Sequence, residues 1–302
     1  MSALRPLVLL GSATLLLAGC ADPAEPAGTT SGTSSAASSS AAAPAIAENA
    51  ALAAKVPAAV RASGITVASD VSYPPMDFFA SDNKTVVGAE ADLDKALGTV
   101  LGVKVKIVNV PFDSILPGLQ SGKYQLGVSS FTDTAEREKV VDFVTYFDAG
   151  TSLLVPAGNP KALKPGGESL CGRTVAVAKG STQALVDLPA RAKTCKTPIK
   201  VSTFPDGTGV NLAVTSGRAD AALADSPVAA YAAKQSGGKL EVTGESYGNA
   251  PFGIAVPKHS ELTGLLKSAL QDLKASGGYR QILAKWGLES GALDTFEINA
   301  AS

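Results

Sequence analysis

The sequence predicts an α/β protein of two lobes, and three observations predict it. Its 302 residues are long for one domain and comfortable for two, with 45% hydrophobic residues to build cores. Strand- and helix-patterned segments alternate as βαβαβ twice, once before Cys171 and once after it. The two runs also echo each other: residues 115–125 align with residues 210–220, each a helix, a Ser-Gly stop, a basic residue and an apolar strand. In that register Ser130 corresponds to Asp225, and both sit just past the carboxyl end of a strand, where open α/β sheets bind ligands. Two facing lobes would present them to a shared cleft, although any two βαβ units share part of this likeness.

The first twenty residues read as an address. Arg5 precedes an apolar run over residues 7–17 and then Ala18-Gly19-Cys20. Such a run is too short to span a bilayer, which needs about 20 residues, but it suits the core of a signal peptide, expected over residues 1–19. Leu17-Ala18-Gly19-Cys20 resembles the bacterial lipobox, in which a signal peptidase cuts before the cysteine and the thiol carries diacylglycerol. Ordinary secretion with a free Cys20 is the alternative. Residues 21–45 are Ala, Ser, Thr, Gly and Pro with almost no large apolar side chains, so a lipidated flexible tether is expected over 20–57, with structure from near Leu52. Residues 21–45 would reach about 25–30 Å at 5–6 Å times the square root of their length.

The body follows in order. Ile65-Thr66-Val67-Ala68 reads as a strand, and residues 91–101 as a helix with Leu93, Leu97, Val100 and Leu101 on one face, ended by Gly102. Residues 103–107 alternate as a half-exposed strand, a helix through Ile115, Leu116 and Leu119 stops at Gly122, and 124–128 is the next strand. After Cys171 come strand 174–177, helix 182–193, strand 199–201, helix 207–215 and strand 220–224. Residues 261–286 carry two amphipathic helices that read as packing elements.

Composition excludes several classes. The net charge is −1 with dispersed Lys and Arg, against a nucleic-acid partner or a polybasic membrane binder. His259 is the only histidine and reads as a solvated loop residue, and no His and Cys group has metal-ligand spacing, so no metal and no cofactor are expected. Three cysteines are odd for a secreted chain. Lipidation of Cys20 leaves Cys171 and Cys195 to pair as a disulfide, with two buried free thiols as the alternative.

An amino acid offers a carboxylate, an ammonium and a side chain, and its captor needs a bidentate cation, a carboxylate or carbonyl cluster, and an apolar wall. Residues 130–137 follow a strand, and their hydroxyls and N–H groups converge in this reading with Arg137, whose planar fork matches a carboxylate. Gly180-Ser181-Thr182 leads into a helix and can aim unpaired N–H groups at an anion. Each also has a plain reading, Arg137 as a surface residue and Gly180-Ser181-Thr182 as an N-cap. Asp70 is either a partner for a cationic or amide side chain or a turn residue capping its own backbone. Glu90, Asp92 and Asp94 read as acids near a helix N-terminus.

Together with Tyr73-Pro74-Pro75, Pro111-Phe112-Asp113, Val141-Asp142-Phe143, Asp225-Ser226-Pro227-Val228 and Phe252-Gly253-Ile254-Ala255-Val256, these motifs resemble, in order and spacing, the family 3 extracellular solute-binding proteins. The resemblance runs over about residues 60–288. It departs at Ala89, where the family has an aromatic, and over residues 144–147. The resemblance implies a two-lobed type II periplasmic-binding-protein fold that closes on its ligand about a hinge. Lobe 1 would be 58–149 plus 249–302 and lobe 2 150–248, with crossings near Ala149-Gly150 and Tyr247-Gly248. It implies that Arg137 clamps the α-carboxylate with Thr132, Ser181 and Thr182. Ser130 and Asp225 would receive the ammonium, Tyr73 and Phe112 would wall the side chain, and Asp70 would face its polar end. Phe131 would add backbone and ring contact. The implied protein is no enzyme but a monomeric, extracytoplasmic, lipid-anchored receptor that delivers a polar amino acid to an ABC permease. A sensor lipoprotein and a dehydratase-like enzyme on the same fold are its rivals.

Overall fold

The structure, a computed structural model, describes residues 46–301. The expected signal peptide, Cys20 and residues 21–45 of the tether lie outside them. The folded body begins earlier than Leu52. Helix α1 (Ala50–Ala53) is capped by the Asn49 side chain, which accepts from the N–H groups of Ala51 and Leu52. The Asn49 amide also donates to Asp272 at 2.8 Å, and its N–H to the Val100 carbonyl at 2.9 Å. Part of the segment assigned to the tether is therefore tied to the body. Helix α2 (Ala58–Ser63) follows.

Strand β1 (Ile65–Ser69) leads into three short strands, β2 (Ser72–Tyr73), β3 (Asp77–Phe79) and β4 (Val86–Val87), which form a small separate sheet. Two- and three-residue strands carry no period, so the sequence pattern could not show them. Next come α3 (Ala89–Val100), β5 (Val105–Asn109), α4 (Phe112–Gln120), β6 (Leu126–Gly127), the single turn α5 (Ala135–Glu138) and the long β7 (Val141–Pro156). After Cys171 follow β8 (Thr174–Ala178), a π-helical turn (Gln183–Asp187), α6 (Leu188–Ala192), β9 (Lys200–Phe204), α7 (Gly207–Thr215), β10 (Ala221–Asp225), α8 (Ser226–Gln235) and the long β11 (Leu240–Pro257). Helices α9 (Leu262–Ala275) and α10 (Gly278–Trp286) close the chain. Two expectations are corrected in length: β6 is two residues long, and the helix placed over 182–193 opens as a π-helical turn.

The echo between the runs is structural. Helices α4 and α7 are both nine residues long, and each ends at a serine C-cap followed by a left-handed glycine, Gly122 (φ 72°) and Gly217 (φ 73°). Only glycine enters that region without a steric cost, which is why the Ser-Gly pair stops both helices.

The main sheet runs β5-β1-β6-β11-β7-β10-β8-β9. Its two ends are parallel sets, β5-β1-β6 and β10-β8-β9, and the long antiparallel pair β7 and β11 joins them. This is the two-lobed α/β fold. The β7–β11 ladder shifts register on both sides of Tyr247, beside Thr151, where the pair passes from one set to the other. In the second set Leu153 and Val155 of β7 enter one core, with Val175, Leu188 and Leu223, while Leu154 enters another, with Val210 and Val214. Both faces of the sheet are thus covered, as parallel strands require. In the first set Leu93, Leu97, Leu266, Leu270 and Tyr279 fill one face, and Ile115, Leu119, Phe131 and Phe143 the other. Leu270 is fully buried, so truncating it to Ala would cost roughly 2–5 kcal/mol. Cys171 and Cys195 form a disulfide with a sequence separation of 24 that ties β8's approach to the end of α6. Among the described residues no helix is long and apolar enough to cross a membrane.

Candidate functional site

The two sets of three parallel strands run in opposite senses, so their carboxyl ends face each other, and the chain past each end contributes to a single cleft. From the first set come Asp70 after β1, Phe112 after β5, and Ser129, Ser130 and Thr132 after β6. From the second come Ala178, Ser181, Thr182 and Gln183 at and after β8, Gly207 after β9, and Asp225 at the end of β10. Tyr73 and Arg137 complete the lining of about 410 Å³ of empty space. Nine of the ten ligand-site residues expected from the sequence are among these. The tenth, Phe131, is 1% exposed and lies behind the wall.

Arg137 is the cation of the cleft. Thr134 caps the turn that carries it, accepting from the Arg137 N–H at 3.3 Å. Its guanidinium donates to the Thr132 carbonyl at 2.8 Å and, across the cleft, to the Gly180 carbonyl at 3.1 Å. It lies 5.3 Å and 5.6 Å from the Phe131 and Phe112 ring centroids, and those rings stack 4.5 Å apart. Phe131 therefore acts through the wall, as a floor under Phe112 and a cation–π partner of Arg137. Burial lowers the Arg137 pKa to about 10, still protonated at neutral pH.

Two carboxyls face this cation. Asp225 accepts from the Tyr73 hydroxyl at 2.9 Å and the Gln183 amide at 2.8 Å, and its own N–H donates back to the Tyr73 oxygen at 3.2 Å. Burial raises it to about 6, with the Tyr73 and Gln183 hydrogen bonds and Arg137 opposing. Asp70 accepts from the Ser72 hydroxyl at 2.7 Å, and its N–H donates to the Ser129 hydroxyl at 3.0 Å. Burial raises Asp70 to about 6 as well, against the Ser72 hydrogen bond, with Asp206 and Asp113 adding repulsion. The turn reading of Asp70 and its place in the cleft hold together.

In the second-set turn the Ser181 hydroxyl accepts from the Ala184 N–H at 3.2 Å, as an N-cap would, and Ser181 and Thr182 line the cleft. Two more contacts cross the gap, from the Gly207 N–H to the Ser72 hydroxyl at 3.0 Å and from Lys179 to Asp113 at 2.8 Å. Sequence reasoning missed Ser129, Ala178, Gln183 and Gly207. Ser129 and Gln183 adjoin segments that were singled out, Gly207 opens the helix read over 207–215, and only the fold shows that they turn inward. Glu90 and Asp92 lie in the first turn of α3 as expected, but Asp92 is partly exposed and paired with Lys285 and Trp286, while Glu90 and Asp94 are each 1% exposed. Among the described residues no group of three His, Cys, Asp or Glu side chains is placed to hold a metal ion.

Residues 65–289 match the model of the bacterial extracellular solute-binding proteins, family 3. The chain is 37% identical over 251 residues to the arginine-binding protein ArgT of Corynebacterium glutamicum, covering 82% of each. An ancestral arginine-binding protein, solved bound to arginine, superimposes with a TM-score of 0.69 at 36% identity over 74% of this chain and 97% of that one. An ancestral amino acid-binding protein described as a precursor of cyclohexadienyl dehydratase does so at 0.69 and 34%, over 76% and 97%.

Proposed function

Because the chain belongs to the bacterial extracellular solute-binding proteins of family 3, we propose that it captures a free amino acid with a cationic side chain, arginine first, and delivers it to an ABC permease. The observation that carries this reading is the charge layout of the cleft: one buried guanidinium, two carboxyls and two aromatic rings around a single cleft. Arg137 clamps the α-carboxylate, with Thr132, Ser181 and Thr182 as further donors. Ser130 and Asp225 receive the α-ammonium. Tyr73 and Phe112 flank the aliphatic stem, and Asp70 meets the guanidinium. The ligand's +1 charge answers the excess of carboxylate over guanidinium among these groups. Every group in this scheme binds and none transfers a proton or a bond, so the role is that of a receptor rather than an enzyme.

The names of the relatives support arginine, and so does Asp70, which has no use for an apolar side chain. In this reading Cys20 carries the lipid that holds the body outside the membrane. A thermal-shift screen of the purified protein against the twenty amino acids tests the reading, because a ligand that binds only the folded state raises the melting temperature. Arginine should give the largest shift, and Arg137→Ala should abolish it. A flat screen would sink the proposal, and turnover of a cyclohexadienyl acid would replace it with the dehydratase reading.

A further inference from the structure

Behind the loop after β6 lies a cluster of acids that do not line the cleft. Glu90, Asp77 and Asp94 are each 1% exposed, and among the described residues none of them pairs with a Lys, Arg or His side chain. Three donors converge on one oxygen of Glu90: the Ser130 N–H at 2.8 Å, the Ser130 hydroxyl at 2.9 Å, and the Tyr146 hydroxyl. The other Glu90 oxygen and one oxygen of Asp77 meet no donor, and a single proton held between the two carboxyls satisfies both. Burial raises both acids; their mutual contact raises Asp77 further and opposes the rise of Glu90, and the three donors gathered on one Glu90 oxygen favour the charge there. Asp94, raised by burial and with no donor to either oxygen, is the second neutral acid. The groups facing Glu90 are thus Asp77 from β3, Asp94 on its own helix, Tyr146 from β7 and Ser130. Tyr279 from α10 reaches only the Tyr146 carbonyl, at 2.7 Å.

Ser130 lines the cleft in a left-handed backbone conformation, φ 51°. Both of its donors go to Glu90, and no backbone N–H among the described residues meets its carbonyl. A bare carbonyl with an anion close behind it suits a cation.

We propose that Glu90 is a positioning residue for the ligand's α-ammonium group: by holding both donors of Ser130 it leaves the Ser130 carbonyl as the acceptor on the cleft side, backed by its own charge. The inference rests on the amino-acid receptor reading and adds to it a residue that the ligand never touches.

Titration calorimetry with arginine and with 5-guanidinopentanoate, which is arginine without its α-amino group, tests it in the wild type, Glu90→Gln and Tyr146→Phe. The wild type should prefer arginine, and Glu90→Gln should shrink that preference roughly tenfold, because the lost charge lies near the ammonium alone. Tyr146→Phe leaves the Ser130 contacts in place but removes one donor to the Glu90 anion. It should keep the preference at pH 8 and lose it on acidification at a higher pH than the wild type does. Equal weakening of both ligands by Glu90→Gln, or a Tyr146→Phe profile that overlays the wild type, overturns the positioning role. Should Glu90→Gln fail to fold, the Tyr146→Phe profile decides alone. If the wild type binds no arginine, the receptor reading itself falls and this inference with it.

Discussion

The two half-sites occupy matching places in the fold, after β6 and after β10, yet they are wired in opposite directions. The half-site after β6 is fixed within its own set of strands: Ser130 is held by Glu90, and the Ser129 hydroxyl takes the Asp70 N–H. The half-site of the second set reaches across the gap. Asp225 leans on Tyr73, the Gly207 N–H on Ser72, and the Gly180 carbonyl on Arg137. The second half also has support of its own, from the Gln183 amide to Asp225 at 2.8 Å, but it carries the contacts that cross the gap.

The sharpest way to break this comparison is to remove the charged group of each half. Arg137→Ala and Asp225→Ala should each weaken arginine binding by at least about 100-fold in calorimetry, since a buried charge-assisted contact is lost and its partner is left unpaired. Retention of binding by either variant would show that its half is dispensable. Next in size is a stability effect confined to the second half. Replacing Cys171 and Cys195 together with Ala should lower unfolding free energy by roughly 3 kcal/mol in urea titration, while arginine affinity stays the same. A large loss of affinity would mean that the disulfide also shapes the turn after β8.

Tyr73→Phe targets the cross-cleft wiring directly. It deletes the hydroxyl that both donates to and accepts from Asp225, and should cost about tenfold in arginine affinity. No change would mean that Asp225 needs no help from the other side. Protonation gives a subtler handle. Asp70 and Asp225 both sit at about 6, above the ordinary carboxylate value, so the folded protein binds more protons than the unfolded chain between that value and about 6. Their contribution favours the folded protein at low pH and is lost as pH rises through about 6. Arginine binding runs the other way, because it needs the ionised carboxylates, so the arginine-induced rise in melting temperature should shrink below pH 6. A constant rise from pH 8 to pH 5 would count against both carboxyls as ligand partners. The smallest effect belongs to Lys179→Ala, which breaks an ion pair at the exposed rim and should change affinity by less than about threefold.

Much of this was legible in the sequence because it depends on local chemistry. The Ser-Gly pairs that stop α4 and α7 read correctly, since a left-handed residue must be glycine-like wherever it occurs. The register of the echo put Ser130 and Asp225 in one cleft without any coordinates, because strand ends in open α/β sheets converge. Glu90 read correctly as an acid in the first turn of a helix, but such an acid looks the same in sequence whether it faces water or a buried serine, so its contact with Ser130 was not legible. The resemblance gave Phe131 backbone and ring contact, and only the structure shows its ring buried beneath Phe112.

The sequence by itself pointed to the two α/β lobes and left Cys171 and Cys195 to pair, and its resemblance to family 3 pointed to most of the residues that surround the cleft. The first two follow from periodicity and cysteine arithmetic, each of which acts over a few residues or a single count, and the third from the order of the motifs. Only the tertiary structure decided which acid is buried, which serine it holds, and which contacts cross the cleft. Those properties come from distances between residues far apart in the chain, 40 positions for Glu90 and Ser130 and 152 for Tyr73 and Asp225, and burial and Coulomb interaction act through space.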